Sequence, residues 1–505
     1  MSKEREIEKI YSLTPMQEGM LFHFIKDKGS TAYFDQYLLT LRGEIDKALL
    51  EKSLNTIIKR HEVLRTLFVY EKIQKPKQVV LKDVGLEIDF VDISHLSEAK
   101  EKKYLEEFKR QDREKGFDLT RDIPMRVFLF KPGRGFYRLL WSFHHITMDG
   151  WSFSIFLKEL IQTYQGLRKG ESFPLEPVSR SFRDYVRWLE KQDRVEGLKY
   201  WQEYLEGYEQ PAGLHKPGKA MSDENHQYKE EKHGFKIHEE LTTGLTRTAA
   251  SHQVTINSVF QVLWGLLLQK YNNTNDVVFG TVVSGRPPQI QGIENMIGLF
   301  INTIPVRIKT GLHQRFSQIV VSAQKDAAAS RSYEYLPLAD IQASSLLKGH
   351  LIDHILVLEN YPVQEEIKKP GKRDLGFGIE GVDIRSQTSY DFNIIISPGK
   401  HFSIRLMYNG LVYDKDLIER TALHFEQIVR QVKENPAIEI KDIEIITAEE
   451  KRQILTDFNQ PDAGNPPGKS IHELFAEQAE EKPDNTALVG GNGAPFGQVL
   501  NAFGG

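Results

Sequence analysis

The apolar positions of this chain follow a helical period in some stretches and the short-run pattern of buried strands in others. In LTPMQEGMLFHF, from Leu13, Thr14 stands at a cap, Pro15 at the first helical position and Gln17 three residues past the cap. That is the arrangement of a capping box at a helix start. From Asp46, the residues Leu49, Leu50, Leu54, Ile57 and Ile58 recur at helical spacing and lead into RHEVLRTLF, a helix running into a strand. Short apolar runs predict strands at KQVVL, at MRVFLF from Met125 and at FYRLLWSF from Phe136. After an Asp149-Gly150 turn, Ser152 is placed to cap a helix through FSIFLKELIQTYQGL, which Gly170 stops.

The stretch GESFPLEPVSRS, residues 170–181, has two prolines and no periodicity and reads as a linker. Beyond it, helices fit FRDYVRWLEKQ, GLKYWQEYLEG and INSVFQVLWGLLLQKY; strands fit DVVFGTVV, DHILVLEN, FNIIIS and FSIRLMYNG; a helix from Asp416 through Val432 closes the set. The predicted fold class is α/β (α+β), two halves joined by a proline-containing crossover. From Phe458 the character changes to a polar Pro/Gly stretch, FNQPDAGNPPGKS, then a short amphipathic helix, IHELFAEQAEEKPD, then GGNGAPFG. The expected division is therefore residues 1–175, 176–455 and 456–505.

Length supports that division, because 505 residues exceed one ordinary core. A composition of 40% hydrophobic and 27% charged residues belongs to a globular protein. The net charge of -4 lacks the general basic field of a nucleic-acid or membrane-surface binder. With no cysteine, disulfides, thiolate metal sites and a cysteine nucleophile are all excluded. The charged start MSKEREIEKIYS has no apolar signal core, and no later run is long enough for a membrane span. A cytoplasmic protein is expected, without nucleic-acid or membrane partners.

Chemistry concentrates in WSFHHITMDGWS, residues 141–152. Chains leaving a buried strand pass through the region where open sheets place ligands. Adjacent side chains of an extended backbone point to opposite faces, so His144 and His145 divide into one packed ring and one working ring. A neutral imidazole can hydrogen-bond an incoming amine and accept its proton. His, His and Asp are also legitimate metal ligands, but the adjacent pair has poor geometry and no second cluster supplies the missing ligands. Asp149 reads as a structural turn carboxylate needing a cationic partner if buried, and Gly150 as a residue that allows close approach.

HHITMDG at His144 to Gly150 resembles the HHxxxDG signature of condensation domains of non-ribosomal peptide synthetases, relatives of chloramphenicol acetyltransferase. LTPMQEGMLF from Leu13, RHEVLRTLF from Arg60, FRDYVRW from Phe182, IGLFINTIPVR from Ile297 and YEYLPLADIQ from Tyr333 resemble further motifs of that family in the same order. The resemblance covers Ile10 to Ile446. It implies two chloramphenicol acetyltransferase-like lobes in a V-shaped pseudo-dimer, with a central tunnel that passes the histidine loop. Donor and acceptor would arrive as thioesters on phosphopantetheine arms of upstream and downstream peptidyl carrier domains, with no cofactor bound by this chain.

Carried over by position, His145 is the functional histidine and His144 mainly structural. Asp149 is similar to an aspartate that holds the loop through a salt bridge, and Arg286 in GTVVSGRP is its candidate partner, whose fork suits a bidentate grip. The N–H groups of Gly150 and Trp151 are candidate oxyanion donors. Trp151, Ser152 and Asn302 are expected near the substrate passage, with turn capping as the alternative for Asn302. The implied reaction is amide formation between the two carrier-bound substrates. Epimerisation of one carrier-bound residue, a non-catalytic carrier-docking module and a coenzyme A-dependent acyltransferase are the rival readings.

FHHITMDGWS, TPMQEGMLFH and LVLENYP look most similar to condensation domains whose donor ends in a D-residue. SIHELFAEQAEEKPDNTALV resembles the start of an adenylation domain, an adjacent partner, whereas NGAPFGQVLN matches it poorly. The chain is thus expected to be a fragment of a larger synthetase, or to carry a foreign end over residues 490–505, and to be monomeric when excised.

Overall fold

The computed structural model describes residues 6–27, 29–133, 135–170, 180–216, 228–359, 375–459 and 469–483. The linker at 170–181 and GGNGAPFG fall wholly or mostly outside those residues, as do much of FNQPDAGNPPGKS and the end of LVLENYP. Two compact units are present, Met1–Ile445 and Ile446–Gly505. In the second, the amphipathic stretch forms a helix, Ile471–Glu481, closed at its start by a Ser470/Glu473 capping box.

The first half of the larger unit contains β1 (Ile7–Ser12), α1 (Pro15–Lys26), β2 (Phe34–Gly43), α2 (Lys47–Arg60), β3 (Thr66–Val69), β4 (Lys77–Leu81) and β5 (Ile88–Asp92). Next come α3 (Glu98–Lys115), β6 (Met125–Gly133), β7 (Phe136–His144) and α4 (Gly150–Arg168). The second half opens with α5 (Phe182–Leu189), α6 (Arg194–Tyr204), β8 (Glu230–Ile237), α7 (Glu239–Ser251), α8 (Ile256–Asn272), β9 (Asp276–Val283) and β10 (Asn302–Lys309). It closes with α9 (Phe316–Ser330), α10 (Leu338–Ser344), β11 (Ile355–Leu358), β12 (Phe377–Arg385), β13 (Phe392–Ser397), β14 (Phe402–Asn409) and α11 (Lys415–Glu434).

Two mixed sheets organise these elements. One runs β12-β2-β7-β6-β5, the other β10-β9-β11-β13-β14-β8, and a small third sheet runs β1-β4-β3. β7 lies inside the first sheet and is covered on both faces. Tyr37, Leu39, Trp141 and Phe143 join Leu54, Ile58, Phe156 and Leu160 of α2 and α4 in one core, while Leu38, Phe128, Phe130 and Leu140 pack with Leu105 of α3 in another. Burial on both sides explains why FYRLLWSF is mostly apolar on both faces, broken only by Arg138 and Ser142, rather than strictly alternating. α8 is likewise the centre of the second half: Val259 to Leu268 are buried all round within the largest core.

The second half does not keep to its own sheet. β12 pairs antiparallel with β2, from Phe377 opposite Gly43 to Arg385 opposite Gln36, and so extends the sheet that carries the histidines. Expected elements also differ at their ends. α5 stops at Leu189 and β11 occupies only Ile355–Leu358 of DHILVLEN. α4 starts at Gly150, with Asp149 rather than Ser152 as its cap, because the Asp149 carboxylate accepts the Ser152 N–H at 2.8 Å. Past its end, Gly170 takes φ +72°, a left-handed conformation that suits glycine.

The start of α1 is built as its sequence suggests and does more than begin a helix. Thr14 Oγ1 accepts from Gln17 N at 3.2 Å, and Gln17 Oε1 accepts from Thr14 N at 2.9 Å. The buried Gln17 amide then donates to Gln78 Oε1 and to the carbonyl of Ile146, both at 3.0 Å. This one side chain ties α1 and β4 to the histidine loop. Thr14→Ala should cost about 1 kcal/mol, the usual loss of a cap. Gln17→Ala should cost more, about 1–3 kcal/mol, because it strands a buried carbonyl. Urea denaturation at an unchanged slope reads both values.

Candidate active site

The two histidines leave β7 on opposite faces. In the β2–β7 pair, Phe34 faces His144 and Asp35 faces Phe143, and the His145 N–H extends the ladder by donating to Tyr33 O at 2.7 Å. His144 therefore points into a cluster that includes Phe34 and Ile146. It is 2% exposed, meets Phe24 edge-on, and accepts the Ile146 N–H on Nδ1 at 3.1 Å. Burial, with a smaller contribution from the charge of His145, pushes its pKa down to about 3. The ring is neutral at working pH.

His145 lies on the other face with Phe143, and its side chain keeps 16% exposure. Its Nδ1 is 2.5 Å from Oδ2 of Asp35, the one side-chain hydrogen bond the ring makes among the described residues. Burial disfavours the charged ring, but the charge and hydrogen bond of Asp35, aided by Asp149, outweigh it and raise the pKa above the ordinary histidine value. Asp35 escapes a reading by motif because it lies 110 positions away in sequence. Only strand register brings it near: Asp35 opposes Phe143, and the diagonal neighbour on the same face of the adjoining strand is His145.

Asp149 is 1% exposed and joins three elements. Oδ1 caps α4 through Ser152 N, Oδ2 accepts the Phe300 N–H at 3.0 Å, and Arg286 Nη2 approaches Oδ1 at 3.4 Å. The arginine fork does not grip the carboxylate bidentately. Its Nη1 donates to the carbonyls of Ile293 and Met296, while Nη2 is shared between Asp149 and Ser152 Oγ. The guanidinium also lies over the Phe300 ring, 4.0 Å from its centroid. Gly285 makes this approach possible. Its φ is +59°, and a Cβ there would fall 1.7 Å from the Phe300 carbonyl oxygen.

Ser152 is fully buried, and its hydroxyl donates to Gly298 O at 2.8 Å and accepts from Gly298 N at 3.0 Å. Its hydroxyl clips the first turn of α4 to the Gly298 backbone and is fully buried there, which leaves it no face toward a substrate passage. Trp151 is partly exposed, with its indole N–H on Glu294 O at 3.2 Å. The backbone N–H groups of Gly150 and Trp151 belong to the first turn of α4, where a helix has no internal acceptors for them. Asn302 is the first residue of β10, and its side-chain amide caps the turn at residues 334–336. Its amide donates to Glu334 O and Leu336 O at 2.7 and 2.8 Å, beside a narrow crevice that Met16, Leu299 and Glu334 also line.

An open cleft of about 840 Å³ lies elsewhere, between α3 and the face of β2 opposite Asp35, lined by Leu38, Thr40, Glu101 and Arg138. None of the histidine-loop residues borders it, so chemistry rather than volume locates this site. Among the described residues, no group of three or more His, Asp or Glu is placed to hold a metal ion, and no helix is long and apolar enough to cross a membrane.

The sequence profile of the condensation domain family matches residues 7–455. Gramicidin S synthase 2 of Brevibacillus brevis is 43% identical over 488 residues, 96% of this chain and 11% of that protein. Surfactin synthase subunit 2 of Bacillus subtilis (strain 168) is 42% identical over 490 residues, 97% of this chain and 14% of the relative. The chain thus spans a small part of the relatives it matches. In fold, it resembles a four-domain nonribosomal peptide synthetase bound to AMP and glycine, with TM-score 0.76, 19% identity, and coverage of 97% of this chain and 38% of the other. It also resembles the first condensation domain of the calcium-dependent antibiotic synthetase in complex with a substrate analogue, with TM-score 0.69, 18% identity, and coverage of 87% and 100%.

The Asp149 junction makes a graded prediction. Asp149→Ala removes a helix cap, the acceptor of Phe300 N and the counter-charge of a buried arginine, and should lower stability by about 3–5 kcal/mol. Asp149→Asn keeps a capping oxygen and should lose less. Thermal unfolding of the two variants gives the order.

Proposed function

The chain belongs to the condensation domain family of nonribosomal peptide synthetases, enzymes of amide-bond formation, and on that premise we propose which residues carry the reaction and what they join. The donor is a peptidyl or aminoacyl thioester on an upstream carrier domain, the acceptor the α-amine of an aminoacyl thioester on a downstream one, each on a phosphopantetheine arm. The carrying observation is a single solvent-reached imidazole at the end of β7, anchored through Nδ1.

The thioester is already activated, so the protein needs to orient the amine, handle its proton and stabilise a transient oxyanion. His145 Nε2 receives the amine and takes its proton. No covalent enzyme intermediate is required. The first-turn N–H groups of Gly150 and Trp151 are the oxyanion donors, and Asp149 with Arg286 holds the loop that presents them. Trp151 and Asn302 border the substrate passage.

The wider reading rests on the motifs. Residues 1–175 and 176–455 are two chloramphenicol acetyltransferase-like lobes with a tunnel between them, and 456–505 begin an adenylation domain. The likeness of FHHITMDGWS and TPMQEGMLFH to D-donor condensation domains supports a donor ending in a D-residue. The excised domain is a monomer of the cytoplasm that meets its carriers transiently.

In a single turnover with both carriers loaded, His145→Ala should reduce dipeptide formation by at least about 10²-fold with its melting temperature preserved. Undiminished turnover rejects the role of His145. With only one loaded carrier, the protein should give no product; epimerised residue on a lone carrier would replace condensation with epimerisation.

A further inference from the structure

Asp35 has the features of a carboxylate kept for chemistry rather than for stability. It is fully buried on β2. Its one ion-pair partner among the described residues is His145, and its Oδ1 has no hydrogen-bond partner there. A buried carboxylate with an unsatisfied oxygen and no permanent cation works against folding. Such local conflicts concentrate at functional sites. His144 shows that the same loop can hold an imidazole without an acid: Nδ1 takes one backbone N–H, the ring meets an aromatic edge, and Nε2 has no hydrogen-bond partner among the described residues.

We propose that Asp35 is a positioning residue for proton transfer from the acceptor amine: it takes the Nδ1 hydrogen of His145 and so leaves the Nε2 lone pair facing the incoming nucleophile. This inference rests on the reading of His145 as the group that receives the amine proton. An ionised carboxylate can only accept, so a neutral His145 bonded to it must carry its hydrogen on Nδ1. As the amine nitrogen bonds to the thioester carbonyl carbon, its proton passes to Nε2. The carbon–sulfur bond then breaks, and the imidazolium returns a proton to the departing thiolate, giving amide and free thiol. Asp35 steadies the imidazolium between those two transfers.

The charged and titratable groups around the ring favour this division of labour. Asp35 comes from β2, Asp149 from the start of α4, and His144 from β7 itself. Arg286 already answers the charge of Asp149, and His144 stays neutral. Asp35 is left as the direct counter-charge. The raised pKa of His145 means that its proton-accepting form grows as pH rises through a midpoint above about 6.5.

The test is the pH dependence of single-turnover amide formation, with loaded carriers, for the intact domain and for Asp35→Asn and Asp35→Glu. The wild type should gain rate along a limb centred above that of an ordinary histidine. Asp35→Asn should lower the plateau by about 10²-fold or more, move the limb to lower pH and leave the half-saturating carrier concentration unchanged; Asp35→Glu should recover part of the rate. An Asp35→Asn protein with wild-type rate and limb, while His145→Ala is inactive, overturns this inference alone. Active His145→Ala removes the reading beneath it. Should Asp35→Asn fail to fold, the ¹⁵N shifts of the neutral His145 ring in the wild type decide: hydrogen on Nδ1 supports the proposal, and hydrogen on Nε2 overturns it.

Discussion

The site depends on where the Asp149 carboxylate is held. One side chain caps α4, takes the N–H of Phe300 and faces Arg286, so the turn after β7 is locked to two segments more than a hundred residues further along the chain. Net stability is a weak reason for such a junction, since a buried ion pair often does no better than apolar packing. Geometry is a better one. A helix start, a loop backbone and a guanidinium can all be satisfied by one carboxylate only in one arrangement, and that arrangement fixes the direction in which the chain leaves His145. Ser152 reinforces it by bonding both edges of Gly298, and Gly285 admits Arg286 beside Phe300 where any Cβ would collide.

From that fixed turn, the β pleat separates two neighbouring histidines into different chemistries. His144 is sealed among Phe24, Phe34 and Ile146 and stays neutral. His145 keeps a route to solvent and an acid on Nδ1. Environments that drive two titratable groups apart are the usual mark of assigned roles in a site. In the proposed reaction, a neutral His144 also keeps a second positive charge away from the imidazolium at His145.

Much of this was readable in the chain, and the failures have physical causes. The α1 capping box, the helix from Asp46, β7 and α8 were legible because each depends on local spacing or on a mostly apolar run. The division of the histidines followed from strand geometry alone. Ser152 looked like a cap because serine favours that position, but Asp149, three residues earlier, starts the helix by accepting the Ser152 N–H, leaving the serine hydroxyl to clip Gly298. Arg286 was expected to grip with its whole fork, whereas the carbonyls of Ile293 and Met296 claimed half of it. β12 joins the first sheet although its sequence neighbours belong to the second, a pairing set by tertiary contacts. Asp35 and Gln17 act on the loop from distant strands and helices, and only register and packing disclose them.

The catalysis proposed for this site is one of placement: an imidazole held by a carboxylate, a loop held by a second carboxylate, and substrates that bring their own activation. The account is tested most directly by following both histidine rings in the folded domain by proton NMR as pH is varied. His145 should titrate with a midpoint above about 6.5, while His144 stays neutral down to a midpoint of about 3. A His144 that titrates near neutrality beside a silent His145 would contradict it.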